Sequence, residues 1–201
     1  MLFLRPFCKV MAKKDIPIEI IEAAKELFFK HGFKRISIED ICNRAGVSRR
    51  TFYVYYENKT DLLIKLLEKI HEIQLKEFSA IKNSDLSFSE KLIQMTNYNI
   101  AQFEQVTPEF LADIHDPSFV EFRAHFEEKE KRWKEKTRIF FAEAQKRGDI
   151  RADLDIDFMH LFMDYAIATL KNDEIKKRYP DPVLLLRKIA NILFYGILGK
   201  N

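Results

Sequence analysis

Cysteine, glycine, proline and tryptophan are all scarce in this chain of 201 residues, at 2, 5, 6 and 1 copies. The two cysteines, Cys8 and Cys42, have no metal-like spacing. They argue against a disulfide-stapled scaffold and suit a reducing cytoplasm. So few turn formers, with little β-branched alternation, disfavour a sheet-and-turn protein and favour helices. The apolar start, Met1-Leu2-Phe3-Leu4-Arg5-Pro6-Phe7, is too short for a signal-peptide core or a membrane span. No cleavage-site pattern follows it, so no membrane partner is expected.

The signatures of catalysis and metal binding are missing as well. His31, His71, His115, His125 and His160 show no HExxH spacing, and there is no Gly-rich phosphate loop or nucleophile elbow. His160 and Asp164 stand at i,i+4, which reads as a surface or interface pair ahead of a metal site. Asp153, Asp155 and Asp157 suit a helix start, and the run Glu127 to Arg132 a wet helix face. The expectation is a non-enzyme with no catalytic residue, metal or cofactor.

What is present is a hydrophobic share of 47% with 18 Phe, enough for a sizeable core. The net charge of +3 is unevenly spread. Residues 13–70 hold 12 Lys or Arg against 9 Asp or Glu, and residues 71–201 hold 20 against 22. The basic excess sits in the N-terminal third, where it would suit a polyanion.

Helix signals run from one end to the other. Asp15 caps a first helix with Pro17 in its first turn, Ile20, Ile21, Ala24, Leu27 and Phe28 form its stripe, and Gly32 stops it. Ser37-Ile38-Glu39-Asp40 reads as a capping box for a short second helix that ends at Gly46. Ser48 caps a third, about 49–56, too short to stand alone. Phe52 and Tyr56 root it, while Arg49, Arg50, Thr51, Tyr53 and Tyr55 face outward. Asn58 caps a long fourth helix opening on Lys59. After Asn83-Ser84-Asp85 come segments of about 88–105, 108–115, 118–147, 155–172 and 182–198, with cap-plus-proline pairs at Thr107-Pro108, Asp116-Pro117 and Asp181-Pro182, and stops at Gly148 and Gly199. That makes about nine helices and an all-α fold. The segments 156–170 and 183–198 are apolar nearly all round, so both need burial on every side, most simply against a second copy of themselves.

The stretch from Ser37 to Leu63, with Ala45-Gly46-Val47-Ser48 as the turn, Tyr53 and Tyr56 bracketing the third helix, and Lys59 before Leu62-Leu63, resembles the DNA-binding signature of the TetR (tetracycline-repressor) family of transcriptional regulators. The resemblance is specific over about 16–70. It departs at Tyr56, where Phe is commoner and whose hydroxyl needs a partner or the rim, and at Arg50, often Gly in relatives. Gly148 to Asp155 and Tyr195-Gly196-Ile197-Leu198 are similar only in outline to the family's C-terminal part.

The resemblance implies a tail at 1–13, a helix-turn-helix DNA-binding domain at 14–74 and a helical ligand-binding and dimerisation domain at 75–201. Met11, followed by Ala12-Lys13-Lys14, then reads as a more natural start than Met1, the alternative being a loose tail. Ser48, Thr51, Tyr53, Tyr55 and Lys59 are expected mainly on phosphates, Arg49 and Arg50 on base edges or nearby phosphates, and Arg44 on a phosphate. Phe103, Phe110, Phe122, Phe126, Trp133 and Phe140 are candidates for a ligand pocket, although such aromatics equally fill cores. The last two long helices are expected to form a four-helix dimer bundle through Phe158, Phe162, Tyr165, Leu186, Leu193 and Ile197. The implied function is a cytoplasmic, homodimeric repressor that leaves a double-stranded DNA operator on binding a small apolar or amphipathic inducer. The alternative is a helical carrier of an apolar molecule with a vestigial DNA-binding domain.

Overall fold

The computed structural model describes residues 15–114, 116, 120–169 and 172–197, with only the backbone at 120–125, 167, 173 and 197. The segment 1–13, His115, the Asp116-Pro117 start, the Gly199 stop, and the side chains of Phe122, His125 and Ile197 lie outside that description.

Ten helices follow in order, with no strand among the described residues: α1 Ile16–His31, α2 Ile38–Ala45, α3 Arg49–Tyr55, α4 Lys59–Lys82, α5 Phe88–Phe103, α6 Pro108–Ile114, α7 Val120–Arg147, α8 Ile156–Ala168, α9 Asp173–Arg178 and α10 Pro182–Ile197. The tenth arises because α9 lies between two of the expected helices. Asn172 caps it through Oδ1, which accepts from the amides of Glu174 and Ile175. Its six residues are mostly charged, so they carry no apolar stripe to announce it.

Local capping chemistry sets the boundaries. Ser37 and Asp40 form a reciprocal capping box, Ser48 Oγ accepts from the Thr51 amide, and Asn58 Oδ1 accepts from the Asp61 amide. Asp181 does the same for α10, accepting from Val183 and Leu184. Asp15 precedes α1 without a side-chain cap bond. Gly46 ends α2 in the left-handed region at φ 68°, which a side chain would resist. Gly32 is more constrained still. Its φ is 83°, and an added Cβ would sit 2.9 Å from Asp113 Oδ2.

Two cores result. The first gathers Ile20, Phe28, Ile41, Phe52, Tyr56, Leu62 and Leu66 from α1 to the front of α4, and it also takes in Phe110 of α6. The second gathers Phe78, Phe88, Leu92, Phe140, Phe141, Ile150 and Met159 from the end of α4 onward. One continuous helix, α4, thus carries residues of both. No helix among the described residues is long and apolar enough to cross a membrane.

The all-round apolar helices divide cleanly into faces. On α8, Met159 is buried and Met163 packs against the second core, while Phe158, Leu161, Phe162 and Tyr165 are exposed. On α10, Phe194 packs inward while Leu184, Ile192 and Tyr195 are exposed, Tyr195 at 78%. The outward set is one i, i+3, i+4, i+7 stripe on α8 flanked by matching residues of α10. A contiguous patch of large apolar side chains is what interaction surfaces present.

Candidate DNA-binding surface and ligand cavity

Helix α3 is held by its inner face. Phe52 is fully buried, and its ring lies 5.6 Å from that of Tyr56. Tyr56, which replaces the usual Phe, solves its polar problem by donating its hydroxyl to the Pro17 carbonyl at 3.0 Å. Burial pushes that phenol up to about 12. Cys42, on α2, is buried, and the same desolvation raises its thiol.

The outer face presents Arg49, Arg50, Tyr53 and Tyr55 to solvent. Neither arginine has an ion pair among the described residues. Ser48 Oγ and Thr51 Oγ1 share one hydrogen bond at 2.9 Å. Two hydroxyls carry two protons, so one donor remains for a phosphate. Val54, 71% exposed, sits on the same surface and escaped the sequence reading. A valine between Tyr53 and Tyr55, off the Phe52 face of so short a helix, is the signal for it, since its methyls can meet a thymine methyl.

Two expected phosphate contacts are placed elsewhere. Arg44 turns back to α1 and pairs with Glu26. Lys59 is engaged more fully. Its ammonium donates to the carbonyls of Phe33 at 2.9 Å and Ile36 at 2.7 Å, with Lys34 at 3.4 Å, and lies 4.4 Å from the Phe33 ring centroid. Burial holds its pKa below the usual lysine value. Lys59 therefore ties the α1–α2 loop to α4. Lys59→Ala should cost about 1–3 kcal/mol of stability by stranding these carbonyls, lowering the melting temperature and DNA affinity together. A variant of unchanged melting temperature whose salt slope fell by about one would put the ammonium back on phosphate.

Arg49→Ala and Arg50→Ala should leave the melting temperature unchanged and weaken the preferred DNA site by about 1–3 kcal/mol each, if each guanidinium forks onto a guanine. Competition with point-mutated sites reads this out. Equal loss on every sequence would mark both as phosphate contacts.

A second site lies in the C-terminal bundle. α4, α5, α6, α7, α8 and α10 border two adjoining open chambers of about 370 and 670 Å³. Gln74, Leu92, Thr96, Asn99, Trp133, Phe141 and Met163 border both. Of the expected pocket aromatics, Trp133 borders both chambers, Phe140 the smaller and Phe103 the larger. Phe110 does not line them; it is buried against Phe29, ring centroids 4.9 Å apart. Phe126 packs against the first core. Leu186 and Leu193, expected on the dimer face, line the larger chamber, where α10 packs against α5. His160, expected as part of a surface or interface pair, lines the smaller chamber, edge-on to Phe141. No group of metal-ligating side chains occurs among the described residues.

A capped tripod of short helices with a basic, aromatic outer face defines a helix-turn-helix DNA-binding unit. Residues 20–66 match the family described as bacterial regulatory proteins, tetR family. It is 43% identical over 54 residues to the HTH-type transcriptional regulator TtgR of Pseudomonas putida, a match covering 27% of this chain and 26% of that relative. A longer match, 26% identical over 166 residues, covers 81% of this chain and 84% of an uncharacterized HTH-type transcriptional regulator of Haemophilus influenzae. The fold is similar to that of the transcriptional regulator FadR of Bacillus subtilis in complex with stearoyl-CoA, with a TM-score of 0.66 at 24% identity over 90% of this chain and 98% of that one. The high-identity match with TtgR thus spans about a quarter of that relative's length.

Proposed function

We propose that this chain is a homodimeric transcriptional repressor that grips two half-sites of a duplex operator with its α3 helices and releases them when a small apolar or amphipathic molecule fills the bundle cavity. The observation that carries this reading is the outward face of α3. Its guanidiniums have no ion pair among the described residues and stand beside exposed Tyr53, Val54 and Tyr55, on a helix whose other side is locked into a core. A carrier with a vestigial DNA-binding domain has no use for such a surface. The stearoyl-CoA in the FadR neighbour supports reading the cavity as a ligand site, and α4 supplies the link. Its front belongs to the first core, and its rear residues Gln74, Phe78 and Ile81 line the cavity. A ligand that favours one tilt of α4 shifts the spacing of the two α3 helices only as far as it binds that tilt better, and operator must weaken ligand binding by the same factor.

Selection of bound fragments from random duplex DNA tests the reading. Two half-sites with dyad symmetry, one turn of roughly 34–36 Å or a multiple apart, are the expected result. Recovery of no enriched sequence would move the assignment to the carrier.

A further inference from the structure

Duplex DNA is held in large part by cations on its phosphates. Two cations expected there, Arg44 and Lys59, are engaged within the fold instead. Several others of the N-terminal unit are engaged as well. Lys34 pairs with Asp116, Lys65 with Asp61 and Lys69 with Glu22. The hydroxyls of Ser48, Thr51, Tyr53 and Tyr55 can bond to phosphates, but as neutral groups they displace no counterions. Outside α3, the arginine of this unit that is left over is Arg35. It is exposed and makes no hydrogen bond or ion pair among the described residues.

Arg35 stands in the turn between α1 and α2, and its surroundings fix that turn. Phe33 and Ile36 are buried, and the Lys59 ammonium accepts no freedom at either, bonding to both of their carbonyls. Lys34 is committed to the α6 side, its amide donating to Asp113 Oδ2 and its ammonium pairing with Asp116. Arg35 is therefore the one cationic side chain of the turn without a protein partner. Lys59 opens α4 just after α3 ends at Tyr55, so the same bonds hold the turn beside the DNA-facing helix.

Resting on the DNA-binding reading, we propose that Arg35 is a phosphate clamp. With α3 seated in the major groove, its guanidinium grips the strand that borders the groove, and Lys59 acts through it as a positioning residue. The groove is only about 12 Å wide, so an element packed beside a helix lying in it meets a bordering backbone. A guanidinium forks onto two phosphate oxygens and releases counterions whatever the base sequence. Because the turn is already pinned, little backbone ordering opposes the contact.

Full-length Arg35→Gln, titrated at several salt concentrations against a mixed-sequence duplex about three helical turns long, tests this. Its melting temperature should be unchanged and its binding weakened about tenfold or more. The plot of log affinity against log salt should become shallower by about two, one phosphate for each protomer of a dimer. Arg35→Lys keeps the charge and should keep most of the slope. Lys76→Gln removes an exposed charge about 25 Å further along α4, beyond screening range, and should change neither quantity. Unchanged affinity and slope in Arg35→Gln would overturn the clamp and leave α3 as the DNA-binding element. An equal loss in Lys76→Gln, a changed base preference in sites selected from random duplexes, or a loss that follows a fall in melting temperature would do the same. Wild-type protein that bound no duplex at any salt concentration would overturn the DNA-binding reading and the clamp together.

Discussion

Phe162→Asp and Ile192→Asp should each yield a monomer that keeps its helical content and loses operator affinity by about a hundredfold or more. Phe162 is 46% and Ile192 67% exposed within one protomer, so neither substitution opens a cavity in its own core. In a two-fold dimer built on this patch, each would bury an unpaired carboxylate twice, at a cost of several kcal/mol (roughly two powers of ten or more in the dimer equilibrium). The reasoning is sharpened by the neighbouring Leu193, which lines the cavity. Leu193→Asp should damage folding and ligand binding before it damages assembly. Sedimentation at several concentrations, with circular dichroism on the same samples, separates the two classes. A Phe162→Asp, Ile192→Asp double variant that still sedimented as a dimer with full operator affinity would mean that another surface joins the copies.

The features legible in the sequence were those written locally. Ser37 with Asp40, Ser48, Asn58 and Asp181 bond to amides two or three residues away, so residue type and spacing suffice to place the starts of α2, α3, α4 and α10. The outward residues of α3 were readable for the same reason, since a seven-residue helix has one buried root and everything else faces out. Features decided by distant packing were not legible. On a helix apolar all round, periodicity cannot tell the stripe of Phe158 and Phe162 from that of Met159 and Met163, nor can it show that Leu186 and Leu193 of α10 line a chamber. Nor can it show that the Lys59 ammonium meets carbonyls more than twenty residues away. Aromatic content marked the middle of the chain as a candidate cavity, yet whether Phe103 or Phe110 faces that cavity depends on how α6 sits against α1.

That seating of α6 makes Phe110→Ala the substitution with the largest expected effect on stability. Phe110 is 2% exposed, packs on Phe29, and shares the core of α1 with Phe28 and Ile20, although more than fifty residues separate α6 from α3. Polar contacts fasten the same junction. The Thr107 amide donates to the Phe29 carbonyl at 3.0 Å, the Lys34 amide donates to Asp113 Oδ2 at 2.9 Å, and Lys34 pairs with Asp116. Removing the ring should cost about 3–5 kcal/mol, the range for a phenylalanine deleted from a packed core. Phe103→Ala, on the wall of an open chamber, should cost less, because part of its surface already lacks a packing partner. The location of the damage tests the argument further. Since the lost contacts belong to α1, amide exchange in Phe110→Ala should rise at the end of α1 and through the Gly32–Ile36 turn, and operator affinity should fall although no DNA-facing residue has changed. If exchange rose only within α5, α6 and α7 while α1 and α3 kept their protection and operator affinity held, α6 would be a passenger of the C-terminal bundle and not a wall of the DNA-binding core.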